Sequence, residues 1–323
     1  MSFADSSHLV IPFAACSGDA WLHAMQALPA GSLQHLGKLL QGMQLASTSD
    51  GEAFSLSTPH ERVLAQAQGL AGTASVDGLL PWAAVEAATL PGASGKAWAR
   101  ITLCHWAMGR EHATLSDPAA LDLTPAESRT LLAAMQPYFE TEGITLHGAA
   151  PPLWLAEGEL FRHLPTASLD RVLGRNVDPW LPGAASAGSL RRLQNEMQML
   201  LYTHPLNDAR IARRQLPVNS FWISGSGALA QPVPNPAPNI SVSRSLAHTA
   251  FTNDWSAYAQ AWQALDAGEI AQLLRQQNAG QTVQLSLCGE RNARTFASAK
   301  VGIFSRISNF LAPQPPLAVL VQL

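Results

Sequence analysis

The stretch QNEMQMLLYTHPLNDARIARRQLPVNSFWISGSGAL, residues 194–229, carries the polar side chains best placed for chemistry. The pattern predicts a helix, a sharp stop at Pro205, a short helix capped by Asn207, and a strand that leads into a glycine-rich turn. The polar residues near the ends of these elements are His204, Asn207, Arg210 and Asn219, and the turn is Ser224, Gly225, Ser226 and Gly227. Backbone N–H groups of such a turn can bind an anion, and arginine adds a bidentate clamp. We therefore predict an anion or phosphate pocket here, to which Arg100 or Arg291 also contributes.

Alone, a Gly-Ser-Gly sequence after a strand is typical of an ordinary tight turn, because glycine supplies the positive φ that turns require. A dinucleotide site is not indicated, since the third glycine and the following helix of that motif are missing.

The elements that would position these residues alternate along the chain. Helices are predicted to start at Thr58 and Thr124, where Thr-Pro-x-Glu forms a capping box, and after Ser189. Two further helices meet near Gly268. Short apolar runs predict strands over residues 8–11, 99–104, 220–224, 282–288 and 317–321. Strands separated by helices indicate an α/β fold with a mixed sheet.

Composition excludes several classes of protein. Charged residues make up 13% of the 323 residues and the net charge is −3, with no cluster of Lys and Arg, so nucleic acid is not an expected partner. No segment approaches the roughly 20 apolar residues of a membrane helix, and the first residues lack the features of a signal peptide. Three cysteines, far apart, exclude a disulfide framework and zinc spacing. These features predict a cytoplasmic protein without membrane contact.

The segment HPLNDAR followed by LPVNSFWISGSG resembles archaeal-type, cofactor-independent phosphoglycerate mutases. Weaker likeness covers residues 99–135, residues 168–183 and two short stretches near the N-terminus. The chain length, QNEMQM, PVNSFWISGSG and LCGER also resemble a bacterial subgroup of RpfE-type regulatory proteins. The resemblance implies an alkaline-phosphatase-like mixed sheet flanked by helices, over residues 1–98 and 190–323, with an inserted smaller α/β subdomain over residues 99–189.

The resemblance also implies two divalent metals and a nucleophilic serine, yet the sequence departs from the family at these positions. Where the family's first strand ends in Asp-Gly, this chain has Phe13-Ala14. The serine should lie near residues 57–61, where STPHE is an ordinary helix start. The family's late Asp-His ligands are replaced by Cys288, Glu290 and Arg291, with Arg294 close by. We therefore expect no catalytic residues, no metal and no cofactor.

These observations favour a non-catalytic phosphoglycerate mutase-like protein with a regulatory or protein-binding role, whose partners are a phosphate-bearing small molecule or another protein. Two alternatives stay open. One is a phosphoryl-transfer enzyme, a mutase or phosphatase, with relocated groups, for which Ser224, Ser226 or His204 would have to act. The other is a structural, complex-forming protein without a small ligand.

Overall fold

Strands and helices alternate along the chain in the computed structural model, which describes residues 7–70, 76–183, 188–229, 239–298 and 315–323. Its strands are β1 (Ser7–Ile11), β2 (Met43–Ser49), β3 (Ala97–Cys104), β4 (Trp106–Met108), β5 (Ala113–Leu115), β6 (Thr145–Gly148), β7 (Leu153–Glu157), β8 (Ser220–Ala228), β9 (Ile240–Val242), β10 (Val283–Cys288) and β11 (Ala293–Ser298). Its α-helices are α1 (Asp19–Gln26), α2 (Gln34–Gln41), α3 (Pro59–Ala67), α4 (Trp82–Ala87), α5 (Pro125–Thr141), α6 (Leu169–Val172), α7 (Gly188–Tyr202), α8 (Pro205–Ala212), α9 (Ala247–Phe251), α10 (Trp255–Leu265), α11 (Ala271–Asn278) and α12 (Pro316–Leu320).

Contacts among these elements divide the chain into two units, each with its own main sheet. Unit 1 comprises Met1–Ala53, Pro59–Ala67 and Asn235–Leu323, and unit 2 comprises Phe54–Thr58 and Gln68–Pro234. The predicted boundaries at residues 98 and 189 do not coincide with this division. β8 pairs with β3, with Ile223 opposite Ile101, and this pairing places Ser220–Ala228 in the sheet of unit 2.

Unit 1 is built on a five-stranded mixed sheet in the order β2-β11-β10-β1-β9. β1 runs parallel to β10 and β9, whereas β11 runs antiparallel to β10 and β2. Leu9 and Ile11 pack into a buried cluster with residues of α1, α2, α10 and α11, and Val10 packs with Val63 of α3. Helices therefore cover both faces, and the predicted α/β class with a mixed sheet flanked by helices is confirmed. The loops that follow β1, β9 and β10 leave the sheet at one edge, where ligands bind in open α/β folds.

Helix ends follow the local sequence where the capping groups are neighbours. The predicted capping box of α5 is present: Thr124 Oγ1 accepts from Glu127 N at 3.2 Å, and Thr124 N donates to Glu127 Oε2 at 2.9 Å. α5 ends shortly before Gly143, as expected. The break predicted near Gly268 is a π-helical turn, Asp266–Ile270, between α10 and α11.

The start of α2 depends instead on a distant residue. Its N-cap, Leu33, makes no side-chain hydrogen bond. The buried carboxylate of Asp266, in the π-helical turn, accepts from Leu36 N at 2.8 Å and from His35 N at 3.1 Å. His35 Nδ1 also lies 2.8 Å from this carboxylate. A side chain more than 200 positions away in the sequence therefore satisfies donors that no residue of the helix itself can reach.

Unit 2 is built on an antiparallel sheet in the order β6-β7-β3-β8, beside the two-stranded β4-β5 sheet. Ile101 and Leu103 of β3 pack against apolar residues of α5 and α7. On the opposite face, Trp98 packs against the alanines of α4. This sheet also has helices on both faces, which gives unit 2 a core of its own.

The strand predicted over residues 317–321 was wrong, because helix α12, Pro316–Leu320, occupies this part of the chain. A short apolar run cannot be assigned to strand or helix by periodicity alone. Pro316 at the first helical position favours a helix start, since its fixed φ suits the helix. Val319 and Leu320 pack into the core of unit 1.

Within the described residues, no helix combines the length and the apolar character needed to cross a bilayer.

Candidate functional site

Arg210, central to the anion pocket predicted from the sequence, is completely buried in unit 2. Its Nε donates to Leu216 O at 2.9 Å, and its Nη2 donates to Leu121 O. Its Nη1 lies 3.0 Å from Glu127 Oε2, in an ion pair that Arg213 joins from the surface. The guanidinium therefore binds acceptors of the protein itself and ties α8 to the start of α5.

His204 and Asn207 also have partners within the protein. His204 Nδ1 accepts from Leu206 N at 3.1 Å, so His204 caps α8. The prediction that Asn207 is this cap was wrong, because the helix already begins at Pro205, and Asn207 lies inside it. Its amide bonds Leu201 O at 2.7 Å and both backbone polar groups of Val218.

Asn219 and Ser226 hold chain segments together in the same way. The amide of Asn219 accepts from Trp106 N at 2.7 Å and donates to Trp106 O at 3.0 Å. Ser226 is fully buried, its Oγ donates to Leu164 O, and its hydroxyl lies 2.8 Å from Thr166 Oγ1. Both residues therefore bind backbone that crosses or flanks the sheet of unit 2.

The glycine-rich segment after residue 223 was predicted as a turn, but β8 continues through it to Ala228. The register between β8 and β3 shifts there, as in a β-bulge, and both glycines have positive φ, +62° at Gly225 and +142° at Gly227. A Cβ on Gly225 would lie 3.1 Å from Trp82 Cβ, and one on Gly227 would lie 2.9 Å from Pro81 Cβ. The glycines thus allow the chain around α4 to approach β8 closely, beside the buried Ser224.

The two remaining arginines of the prediction lie in different units. Arg100 belongs to unit 2, where its Nε donates to Glu86 Oε2 at 3.1 Å in an ion pair. Arg291 belongs to unit 1, in the loop between β10 and β11. Binding of an anion by the unit 2 residues stays a prediction, although the structure gives most of their polar groups partners within the protein.

The end of β1 in unit 1 is closed by aromatic rings. Phe13 follows the last residue of β1, Ile11, by two positions and has φ +55°, which is rare for a bulky residue. Its ring centroid lies 4.8 Å from that of Phe251 and 5.9 Å from that of His60. The Tyr258 hydroxyl donates to Phe13 O at 2.6 Å, and burial raises the pKa of Tyr258. The backbone at this strand end is therefore held in an uncommon conformation by contacts from α9 and α10.

The loop after β10 is fixed at the neighbouring strand end. Cys288 is fully buried, and this burial raises the pKa of its thiol, which keeps the sulfur protonated. Cys288 O accepts from Ala14 N at 2.8 Å, which joins the two strand ends. Arg62 Nη2 donates to Arg291 O at 2.7 Å, and Glu290 Oε2 accepts from Ser17 N at 2.9 Å.

A cavity of about 350 Å³ lies beside these two loops. We call it the strand-end cavity. It is lined by residues 15–17, Trp21, residues 290–292 and residues 320–323. Arg291 was predicted as a site residue, but the cavity was not predicted, because Trp21 and residues 320–323 reach it only through the packing of α1 and α12.

No group of three or more His, Cys, Asp or Glu residues that could hold a metal ion occurs in the part of the chain that the structure describes. One polar chain that the sequence did not indicate runs from the buried His8 across the sheet of unit 1. His8 Nε2 lies 2.8 Å from Ser286 Oγ, which lies 2.7 Å from Thr295 Oγ1. Burial lowers the pKa of His8 to about 4, so this imidazole is neutral at neutral pH.

Comparison with known proteins finds no matching family model. The 2,3-bisphosphoglycerate-independent phosphoglycerate mutase of Methanosarcina barkeri is 23% identical over 120 residues, 36% of this chain and 30% of that protein. A probable mutase of the same kind from Geobacter sulfurreducens is 25% identical over 138 residues, 40% of this chain and 32% of that protein. Each match therefore covers less than a third of the relative's own length.

Among solved structures, the cofactor-independent phosphoglycerate mutase of Thermoplasma acidophilum matches with 12% identity and a TM-score of 0.36, over 98% of this chain and 100% of that chain. A superposition with so low a TM-score does not establish a shared fold. The α/β assignment therefore rests on the strands and helices of this chain itself. Over 36–40% of its length, the chain is thus distantly similar in sequence to phosphoglycerate mutases of this kind.

Proposed function

We propose that this chain is a non-catalytic relative of the cofactor-independent phosphoglycerate mutases that acts in the cytoplasm by binding, in a regulatory role like that of the RpfE-type proteins it resembles. One observation carries the proposal. The aromatic cluster of Phe13, His60 and Phe251 fills the end of β1, where the resemblance to the family places a metal-binding aspartate.

The chemistry of a divalent metal does not suit this strand end. Two-metal phosphoryl transfer needs oxygen and nitrogen ligands around both ions and space for the transferred group. Phe13 supplies neither, since the residue is buried, its ring lies in a cluster of rings, and its carbonyl oxygen already accepts from Tyr258. A phenyl ring in this place removes a ligand and occupies volume at the same time.

The neighbouring strand end supports the same conclusion. A cysteine binds metal as its thiolate, and the buried, protonated thiol of Cys288 is not in that form. Glu290 accepts a hydrogen bond from Ser17 N, and Arg291 brings a positive charge that would repel a cation. Both strand ends that could share a metal thus carry groups that disfavour one.

Residues 57–61, the segment where the resemblance to the family places the nucleophile, make hydrogen bonds within the fold. Ser57 is buried, its Oγ accepts from Gly78 N at 3.0 Å, and its N donates to Asp77 Oδ1 at 2.9 Å. A nucleophilic serine needs a base and an exposed oxygen in line with the phosphorus atom. The surroundings of Ser57 favour a hydroxyl that fixes a loop.

The test uses the purified, chelator-treated chain and a mutase of the family as control. Calorimetric titration with manganese should give heat indistinguishable from buffer, and an assay with 3-phosphoglycerate and manganese should show no conversion to 2-phosphoglycerate. Stoichiometric binding of about two ions per chain, or mutase turnover comparable with the control, would contradict the proposal and favour an enzyme with relocated ligands.

A further inference from the structure

We propose that the strand-end cavity of unit 1 binds a small organic anion, with Arg291 holding its charged group and Trp21 contacting its apolar part. The site goes beyond the proposed loss of catalysis and does not depend on it. Its volume, about 350 Å³, suits a small molecule, and it lies beside the ends of the parallel strands β1 and β10, where α/β folds bind ligands.

Arg291 supplies the positive charge. Its guanidinium makes no ion pair or hydrogen bond within the described residues, whereas its carbonyl oxygen accepts from Arg62 Nη2 at 2.7 Å. The backbone is therefore fixed while the charged group is available. A guanidinium binds carboxylates and phosphates through two parallel hydrogen bonds, which fixes the orientation as well as the charge of a ligand.

Two amide groups of the same lining add donors rather than acceptors. Asn292 Oδ1 accepts from Gly51 N at 3.2 Å, and Gln322 Oε1 accepts from Arg294 Nη1. These bonds orient both amides, so that each has an NH₂ group left, and neither NH₂ meets a protein acceptor in the described ranges. Three donors without protein acceptors around one cavity favour an anionic ligand over a cation.

The other lining groups limit the kind of anion. The Glu290 carboxylate would repel one, but it accepts from Ser17 N at 2.9 Å, which offsets part of its charge. Trp21, 5% exposed, and Leu320, from α12, add apolar surface. A ligand with one anionic group on a compact apolar body matches this combination better than inorganic phosphate does.

The probes are phenyl phosphate and benzoate, which share an aromatic body and an anionic group, and benzyl alcohol, which has the body without the charge. Calorimetric titrations are made at about 0.15 M salt, where diffuse surface attraction is screened. We expect the wild-type chain to bind at least one of the two anions and to bind benzyl alcohol at least tenfold more weakly, since charge-assisted hydrogen bonds contribute about that much affinity.

The decisive variant is Arg291→Gln, with Arg110→Gln as its matched control. Arg110 is exposed between β4 and β5 in unit 2, so its replacement changes the net charge equally without touching the cavity. We expect Arg291→Gln to weaken binding about tenfold or more, Arg291→Lys to weaken it less, and Arg110→Gln to have no effect. The melting temperatures should stay at the wild-type value, because Arg291 is exposed.

Three results would overturn the proposal. The first is no heat with either anion, the second is equal weakening by Arg291→Gln and Arg110→Gln, and the third is binding of benzyl alcohol as tight as that of the anions. None of these results bears on the manganese and mutase measurements, so the site and the proposed loss of catalysis can fail separately.

Discussion

The hydroxyl of Tyr258 in α10 donates to the carbonyl oxygen of Phe13 at 2.6 Å, at the end of β1 and out of contact with solvent. Phe13 has φ +55°, a conformation that costs a bulky residue about 1 kcal/mol or more. Such a backbone persists only where surrounding contacts determine it, and here the hydrogen bond and the rings of His60 and Phe251 provide them.

The change Tyr258→Phe should therefore destabilise unit 1 by about 1–2 kcal/mol, because it leaves a buried carbonyl oxygen without its donor. Tyr202→Phe is the matched control, since Tyr202 is 81% exposed and its loss of a hydroxyl should change stability by less than about 0.5 kcal/mol. Urea denaturation of both variants measures the difference. Equal effects would show that the hydrogen bond to Phe13 does not stabilise the strand end.

The change Phe13→Asp should destabilise the chain by about 3 kcal/mol or more, because it removes a buried ring and places a charge in an aromatic cluster. Phe13→Leu keeps the apolar character and should cost less. If the absence of a carboxylate were the sole obstacle to a metal, Phe13→Asp would gain manganese affinity. We expect no such gain, since His60 and Phe251 still occupy the strand end, and calorimetry with manganese checks this.

Stability should fall below neutral pH because of His8. The ordinary pKa of a histidine is 6.5. In the folded chain, burial disfavours the charged form and lowers the pKa of His8 to about 4. The unfolded chain therefore takes up the proton first as the pH falls. The contribution of His8 to the free energy of unfolding is fully present above pH 6.5 and is lost towards pH 4, by about 3 kcal/mol.

The variant His8→Gln isolates this contribution, because its side chain does not titrate. Between pH 7 and 4, the difference in free energy of unfolding between wild type and His8→Gln should shrink by about 3 kcal/mol. His112→Gln, at an exposed site, should follow the wild-type curve. Parallel curves for wild type and His8→Gln would show that His8 is protonated in the folded chain without penalty.

Arg210 and Arg213 offer a matched pair, since both guanidinium groups bind Glu127 but only Arg213 is exposed, at 56% of its side chain. Arg210→Ala should cost about 3–5 kcal/mol, because it leaves a largely buried carboxylate and two carbonyl oxygens without donors. Arg213→Ala should cost less than about 1 kcal/mol. Thermal and urea unfolding check both values.

The same pair tests the anion pocket that the sequence predicts around Arg210. If Arg210 serves the fold, Arg210→Lys should recover part of the stability, and titration with inorganic phosphate should give the same result for wild type and Arg213→Ala. A specific loss of phosphate binding in a folded Arg210 variant would restore the predicted pocket.

Much of the local structure follows from the residue order alone. The capping box of Thr124 and Glu127 marks the start of α5, and the apolar runs of β1, β3 and β10 mark strands, because these signals act between residues a few positions apart. Two local patterns were misleading, the apolar run over residues 317–321, which forms helix α12, and the glycines after residue 223. The glycines after residue 223 are a turn signal in general, but here pairing with β3 keeps them in a strand.

Features that depend on partners far apart in the sequence could be identified only from the tertiary structure. The Tyr258 hydroxyl reaches Phe13 across 245 positions, and the Asp266 carboxylate caps α2 across 230. The strand-end cavity likewise needs Trp21, Arg291 and α12 together. Apolar periodicity and composition indicate which residues are buried, and capping residues indicate where helices begin. Which groups then meet is decided by the packing of helices on a sheet, because hydrogen bonds and ring contacts extend only a few ångströms while their partners lie far apart in the sequence.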